Sequence, residues 1–117
     1  MTTDAKVLYR RWIEEMWNGD HDVAVELVAD DFVGHWPDRD VHGVEGLLKA
    51  MAPLAQMFDS IAFEIEVGPI SDADMVAARW RGKGHSPDGE SMTFIGNDLL
   101  RIVDGKFVEY WVATQHV

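Results

Sequence analysis

One aspartate stands out in residues 96–111, GNDLLRIVDGKFVEYW, because it interrupts an apolar strand pattern. Successive side chains of a strand point to opposite faces, so Asp98 shares its face with Phe94, Leu100 and Ile102. This is the more apolar face, and we expect it to point inward. A lone buried carboxylate is costly unless it is paired or protonated, and such groups cluster at functional sites. An aspartate bonded to backbone amides or to an arginine is the structural alternative.

A second group of polar side chains lies in residues 35–42, HWPDRDVH. His35 has a side chain that titrates near neutral pH and could act as a general base, or it could be a satisfied histidine at a strand end. With Asp38, Asp40 and His42 it also resembles a set of metal ligands. Metal ligands must converge on one point, and no matching motif occurs elsewhere in the chain. We therefore expect no metal.

The order of the elements indicates an α+β fold. Helical spacing of apolar residues predicts three helices, in residues 4–20, 22–32 and 43–58, and Pro53 is expected to kink or break the third. A short strand at residues 32–37 lies between the second and third helices. Four further strands follow, and the last two are joined by Asp104-Gly105, a strong hairpin signal. Helices followed by a strand meander predict helices packed on one side of a curved antiparallel sheet.

Length and composition limit the function classes. The 117 residues fit one domain, 1–117, with a sizeable core. The net charge of −11 argues against binding to nucleic acid or to a membrane surface, since both are negative. The chain has no cysteine, no apolar run of membrane-spanning length and no signal-peptide pattern. We expect a cytoplasmic protein.

Three segments carry a resemblance to a known family. WNGDHDVAVELVADDFVGHWP resembles a pattern of an N-G-D turn, an acidic ADDF and H-x-P. HGVEGLLKAM resembles the G-x-E-G helix that follows it, and residues 96–111 resemble the closing G-x-D-x-x-R-x-x-D-G-K-x-x-E-x-W. Together they resemble the SnoaL-like polyketide cyclase branch of the nuclear transport factor two-like superfamily, over nearly the whole chain.

This resemblance implies a cone-shaped α+β barrel in which a strongly bent sheet wraps three helices around a deep apolar pocket. It also implies a homodimer formed through the sheet and, for the enzymes, chemistry on an apolar small molecule without a cofactor. Family members include cyclases, isomerases, epoxide hydrolases, dehydratases and non-catalytic binding proteins, so the fold does not fix the function.

The resemblance also assigns roles to individual residues. Asp98 matches the position of a pocket acid that stays protonated and stabilises an oxyanion. Tyr110 would face the same pocket, either sharing that oxyanion or serving as an aromatic wall, and His35 matches the H-x-P histidine. The chain departs from the cyclases where they carry a late acid/base aspartate, because residues 112–115 are Val-Ala-Thr-Gln. Trp36 stands roughly where the isomerases have their base.

The apolar side chains on the first and third helices and on the sheet are expected to form the core and line the pocket. The predicted pocket residues are Ile13, Trp17, Trp36, Met51, Phe58, Trp80, Phe94 and Val112.

Three functions remain open. The first is a small cofactor-free enzyme of cyclase, isomerase or dehydratase type, with Asp98, Tyr110 and His35 as catalytic residues. The second is a non-catalytic ligand-binding or dimeric interaction domain that keeps the pocket. Epoxide hydrolysis ranks last, because it requires an arginine between two carboxylates and we find no second inward carboxylate.

Overall fold

The computed structural model describes residues 4–117. Helix α1, Ala5–Arg11, begins after Asp4, whose side chain accepts a hydrogen bond from the Lys6 amide at 2.8 Å and so caps the helix. It continues directly into a π-helical segment, Trp12–Trp17. Gly19 follows with φ +117°, a conformation that favours glycine, and the helix ends there as expected.

The second helix is much shorter than predicted. A 3₁₀ turn, His21–Val23, leads into α2, Ala24–Leu27, and the chain then enters strand β1, Val28–Trp36. The prediction of helix over residues 28–32 is therefore wrong. The physical reason is tertiary: Val28 pairs with Phe107 on a distant strand, and this sheet pairing overrides the local helical pattern.

Helix α3, Gly43–Met57, runs without a break through Pro53. The expected break at this proline is therefore absent. Pro53 and Lys49, four residues earlier, both lie on the exposed side of the helix. The Lys49 carbonyl, which loses its helical donor at Pro53, therefore belongs to an exposed turn and not to the core, where an unpaired carbonyl costs most.

The sheet has six strands where five were predicted. Besides β1 these are β2, Arg39–His42; β3, Ser60–Asp72; β4, Met75–His85; β5, Ser91–Val103; and β6, Lys106–His116. Their order is β2-β1-β6-β5-β4-β3, in a curved and unclosed sheet. The α+β class is confirmed, but the sheet is mixed, because β1 pairs with β6 in parallel.

The β5–β6 hairpin places the candidate residues on one face. Its turn has positive φ at Asp104 (51°) and Gly105 (78°), which confirms the predicted tight turn. Asp98 pairs with Val112 and Leu100 pairs with Tyr110, so these four side chains point to the same side. All four are buried, and the inward assignment of Asp98 is correct.

The core fills the space between the helices and this inner face. Trp12 lies at its centre, with its ring 5.2 Å from that of Phe107 and 5.0 Å from that of Tyr110, both in edge-to-face contact. Farther along the sheet the helices do not fill the space completely. The gap under α3 forms an uncharged cavity.

Candidate functional site

The cavity under α3 lies between this helix and the inner face of the sheet and has a volume of about 230 Å³. Ligand pockets of proteins usually range from about 300 to 1,000 Å³, and an apolar cavity of about 150 Å³ can hold benzene. A ligand of one or two fused rings therefore matches this space. The residues that line it carry no charged side chain: Trp17, Trp36, Ala50, Leu54, Met57, Phe58, Ile61, Phe63, Trp80, Phe94, Tyr110, Val112 and Thr114.

Asp98 lies behind the cavity wall and not in it. Asp98 is 4% exposed, and its carboxyl accepts three hydrogen bonds from side chains. Trp80 Nε1 (3.0 Å) and Tyr110 Oη (2.8 Å) both donate to Oδ1. Tyr9 Oη donates to Oδ2 at 2.8 Å. Trp80 and Tyr110 also line the cavity, so they connect it to the carboxyl.

Two opposing effects set the pKa of Asp98. Burial penalises the charged form and is the larger effect, so it raises the pKa to about 6 from the ordinary 3.8. The hydrogen bonds from Trp80, Tyr9 and Tyr110 stabilise the carboxylate and oppose that rise. The Trp12 indole acts in the same direction, although its Nε1 forms no hydrogen bond of normal geometry within residues 4–117. The result is a buried carboxyl that changes its charge close to neutral pH.

The two tyrosines remain protonated beside it. Burial, followed by the charge of Asp98, raises the pKa of both Tyr9 and Tyr110 above their ordinary value. Both hydroxyls therefore keep their hydrogens at any physiological pH and act as donors to the carboxylate.

A glycine makes room for the Trp80 indole. A Cβ at Gly96 would lie 2.0 Å from Trp80 Cζ2, a distance that no real packing allows. Gly96 pairs with Trp80 across β4 and β5, one inward position from Asp98. The absence of a side chain at residue 96 therefore lets the indole lie flat on the sheet and reach the carboxyl.

His35 lies on the other face of the sheet. Its Nδ1 is 2.9 Å from Asp40 Oδ1, its Nε2 is 2.8 Å from Glu109 Oε2, and its ring stacks on Trp111. The contacts with Glu109 and then Asp40 raise its pKa. Trp36, the next residue, lines the cavity. Strand alternation separates these two neighbours, so the structure does not bring His35 together with Asp98 and Tyr110.

Most of the predicted pocket residues line the cavity. These are Trp17, Trp36, Phe58, Trp80, Phe94 and Val112. Ile13 and Met51 do not, and lie instead in the closed part of the core. Among residues 4–117 no group of three or more histidine or acidic side chains is placed to hold a metal, and no helix is long and apolar enough to cross a membrane.

Sequence reasoning missed Tyr9 and the role of the Trp80 indole. Tyr9 is one turn before Trp12 and Ile13 on the same buried stripe, and this spacing was a usable signal that it faces inward. That Tyr9 and Trp80 converge on the same carboxyl depends on how α1 crosses the sheet. Strand and helix periodicity do not contain that information.

The comparison with known families agrees with this architecture. The model of the SnoaL-like domain matches residues 9–110, so the chain belongs to the SnoaL-like domain family. No curated protein matches the chain.

Solved structures show the same fold. A candidate polyketide cyclase from Bacillus cereus is 27% identical, with a TM-score of 0.82 over 92% of this chain and 72% of that one. AclR, a candidate hydroxylase from Streptomyces galilaeus, is 24% identical, with a TM-score of 0.81 over 94% of this chain and 77% of that one. A candidate SnoaL-like polyketide cyclase from Jannaschia sp. is 20% identical, with a TM-score of 0.82 over 98% of this chain and 91% of that one.

Proposed function

We propose that this protein is a small enzyme that acts without a cofactor on an apolar, carbonyl-bearing small molecule, in the manner of a polyketide cyclase, isomerase or dehydratase. The observation that supports this most directly is the buried Asp98 carboxyl, joined by a 2.8 Å hydrogen bond to Tyr110, a residue that lines a cavity without charged side chains. A proton can pass between these two groups without crossing water.

In this proposal Tyr110 is the group that touches the substrate. Its hydroxyl gives a hydrogen bond or a proton to the carbonyl oxygen, and Asp98 replaces that proton through the Oδ1–Oη hydrogen bond. The carbonyl becomes an enol when a C–H proton leaves to water at the cavity mouth. The enol carbon can then attack a second carbonyl, or a double bond can shift, depending on the substrate. In either case the enol O–H returns its proton through Tyr110 to Asp98, and the new alkoxide or the carbon takes up one proton from water.

A non-catalytic ligand-binding domain is the second candidate, and one observation favours it. Both oxygens of Asp98 are already occupied by donors, and the cavity wall offers no carboxylate or imidazole as a base for a C–H proton. His35, the predicted base, lies on the other face of the sheet.

Proton exchange distinguishes these two functions without knowledge of the natural substrate. The bicyclic ketone 2-tetralone is offered to the protein in D₂O, and loss of its α-hydrogens is followed by NMR. The enzyme should accelerate exchange with saturation, and Tyr110→Phe should slow it on the order of 100-fold, since one oxyanion donor is worth about that much. Thr114→Val changes the other hydroxyl of the cavity wall and serves as the matched control. Binding without accelerated exchange would favour the binding domain.

We also propose that the outer face of the sheet forms a homodimer. Ile70, Ala77, Leu99 and Trp111 are successive cross-strand partners across β3, β4, β5 and β6, and they form an apolar row on this face. Ile70 is 68% exposed and Leu99 41% exposed. Sedimentation equilibrium of Leu99→Asp against the original chain tests this proposal, and a monomer in both cases would refute it.

A further inference from the structure

When the Asp98 carboxyl is ionised, each of its three hydrogen bonds has one donor hydrogen and one acceptor oxygen. Tyr9, Trp80 and Tyr110 each contribute one hydrogen, and the two carboxylate oxygens accept all three. An indole N–H can only donate, so Trp80 always points its hydrogen at Oδ1. The hydroxyls of Tyr9 and Tyr110 can rotate, so they alone can change direction.

Protonation of Asp98 adds a fourth hydrogen, but only three contacts join the carboxyl to Tyr9, Trp80 and Tyr110, and each contact holds one hydrogen. If the carboxyl donates to one tyrosine oxygen, that tyrosine must direct its own hydrogen elsewhere. Tyr9 is fully buried in the core and does not line the cavity. Tyr110 does line it, so we assign to Tyr110 the hydrogen that turns toward a new acceptor.

We propose that a ligand with an acceptor oxygen binds in this cavity together with one proton, which is taken up by Asp98. In the bound state the carboxyl donates from Oδ1 to Tyr110 Oη, Tyr110 donates to the ligand oxygen, and Tyr9 and Trp80 continue to donate to the carboxyl. The hydrogens of Asp98, Tyr9, Trp80 and Tyr110 then each have a partner. This inference rests on the cavity of the proposed function but not on catalysis, since a binding protein would show the same coupling.

The surroundings of Asp98 allow this proton uptake near neutral pH. The groups that face it are Tyr9 from α1, Trp12 from the π-helical segment, Trp80 from β4 and Tyr110 from β6. Only the two tyrosines can titrate, and both remain protonated. Within residues 4–117 Asp98 has no ion pair that would fix its charge, and burial already raises its pKa.

The inference predicts a specific pH dependence of ligand affinity. Above the pKa of Asp98 the dissociation constant of a ketone should rise tenfold per pH unit, because each binding event takes up a proton. Below that pKa the constant should be flat. A hydrocarbon of the same shape offers no acceptor, so its affinity should not depend on pH.

Isothermal titration calorimetry tests this directly. 2-Tetralone and the hydrocarbon tetralin are titrated in two buffers of different ionisation enthalpy, at about one pH unit above the pKa of Asp98. We expect close to one proton taken up with the ketone and none with the hydrocarbon. Tyr110→Phe should abolish the uptake and bring the ketone affinity close to that of tetralin. Asp98→Asn should make ketone binding independent of pH.

The outcomes separate this inference from the proposed function. Ketone binding without proton uptake would overturn the inference and leave the proposed function standing. Uptake without α-hydrogen exchange would support the inference and remove catalysis. If neither probe binds, the ligand class is wrong and both proposals fall.

Discussion

Replacing Asp98 with asparagine should change how the stability of the protein depends on pH. In the folded protein burial holds the pKa of this carboxyl at about 6, against 3.8 in an ordinary environment. A carboxyl whose pKa is raised on folding binds its proton more tightly in the folded state. The folded protein is therefore more stable at a pH where the carboxyl is protonated than at a pH where it is ionised. That contribution is fully present below about pH 3.8 and is lost as the pH rises through about 6. Asparagine cannot titrate, so the variant lacks this loss.

The magnitude follows from the two pKa values. The difference between about 6 and 3.8 corresponds to about 3 kcal/mol, at about 1.4 kcal/mol per pH unit. Solvent screening does not reduce this figure much, because the side chain is only 4% exposed. About 0.5 kcal/mol of this is already lost at pH 4, because the unfolded carboxyl is half ionised near pH 3.8. The free energy of unfolding of the original chain, relative to Asp98→Asn, should therefore fall by about 2–2.5 kcal/mol between about pH 4 and about pH 7.

Urea denaturation of both proteins at a series of pH values measures this difference. Groups such as His35 and Glu66 titrate in both proteins, so their contributions cancel in the comparison. Asp31→Asn removes an exposed carboxyl at the same cost in charge and serves as the matched control. The absolute stability of Asp98→Asn is not the readout, because the amide replaces one of the two acceptor oxygens by an NH₂ group that faces donors.

Two results would refute this reasoning. A difference between the proteins that does not vary with pH would mean that Asp98 has the same pKa folded and unfolded. A difference that grows in favour of the original chain as the pH rises would mean that the hydrogen bonds from Tyr9, Trp80 and Tyr110 outweigh burial. The carboxyl would then be a structural anion, and the proposals in which Asp98 gives or takes up a proton would fall.

Three further predictions concern individual contacts. Tyr9→Phe removes a donor to the carboxylate, so the pKa of Asp98 should rise above about 6. Carboxyl carbon-13 NMR measures this pKa, and an unchanged value would show that the hydrogen bond has no effect on it. Gly96→Ala forces a methyl group into the Trp80 indole and should lower the free energy of unfolding by about 1–3 kcal/mol, as measured by urea denaturation. The near-ultraviolet circular dichroism of the indole should also weaken, and an unchanged spectrum would contradict this packing. Glu109→Gln should lower the pKa of His35 toward its ordinary value in proton NMR, and Asp40→Asn should lower it less.

The parts of the site set by local alternation could be predicted from the sequence. The period of two in β5 places Asp98 inward, and the Asp104-Gly105 turn fixes the pairing that brings Tyr110 to the same face. The same rule also shows why His35 and Trp36 cannot both face the cavity from one strand. A catalytic His35 and a pocket Trp36 are therefore mutually exclusive on this strand, and the sequence alone is enough to show that conflict.

The parts that depend on distant pairing could not be predicted. Residues 28–32 have a helical pattern and become strand because β6 lies beside them in parallel. The short β2 has only one buried residue, Val41, and its pairing with β1 leaves no periodic signal. Tyr9 and Trp80 meet Asp98 from elements that are 89 and 18 residues away in the chain. Only the assembled fold shows that these three side chains converge.

The composition of the Asp98 environment explains why its pKa lies near neutrality. A single arginine in place of one donor would supply a full positive charge and hold the carboxyl ionised at every physiological pH. A wholly apolar site would hold it protonated. Three neutral donors, two hydroxyls and one indole, offset part of the cost of burial and leave the two protonation states close in free energy. A group balanced in this way responds to one added hydrogen bond, and Tyr110 is the one partner that can offer such a bond to a molecule in the cavity.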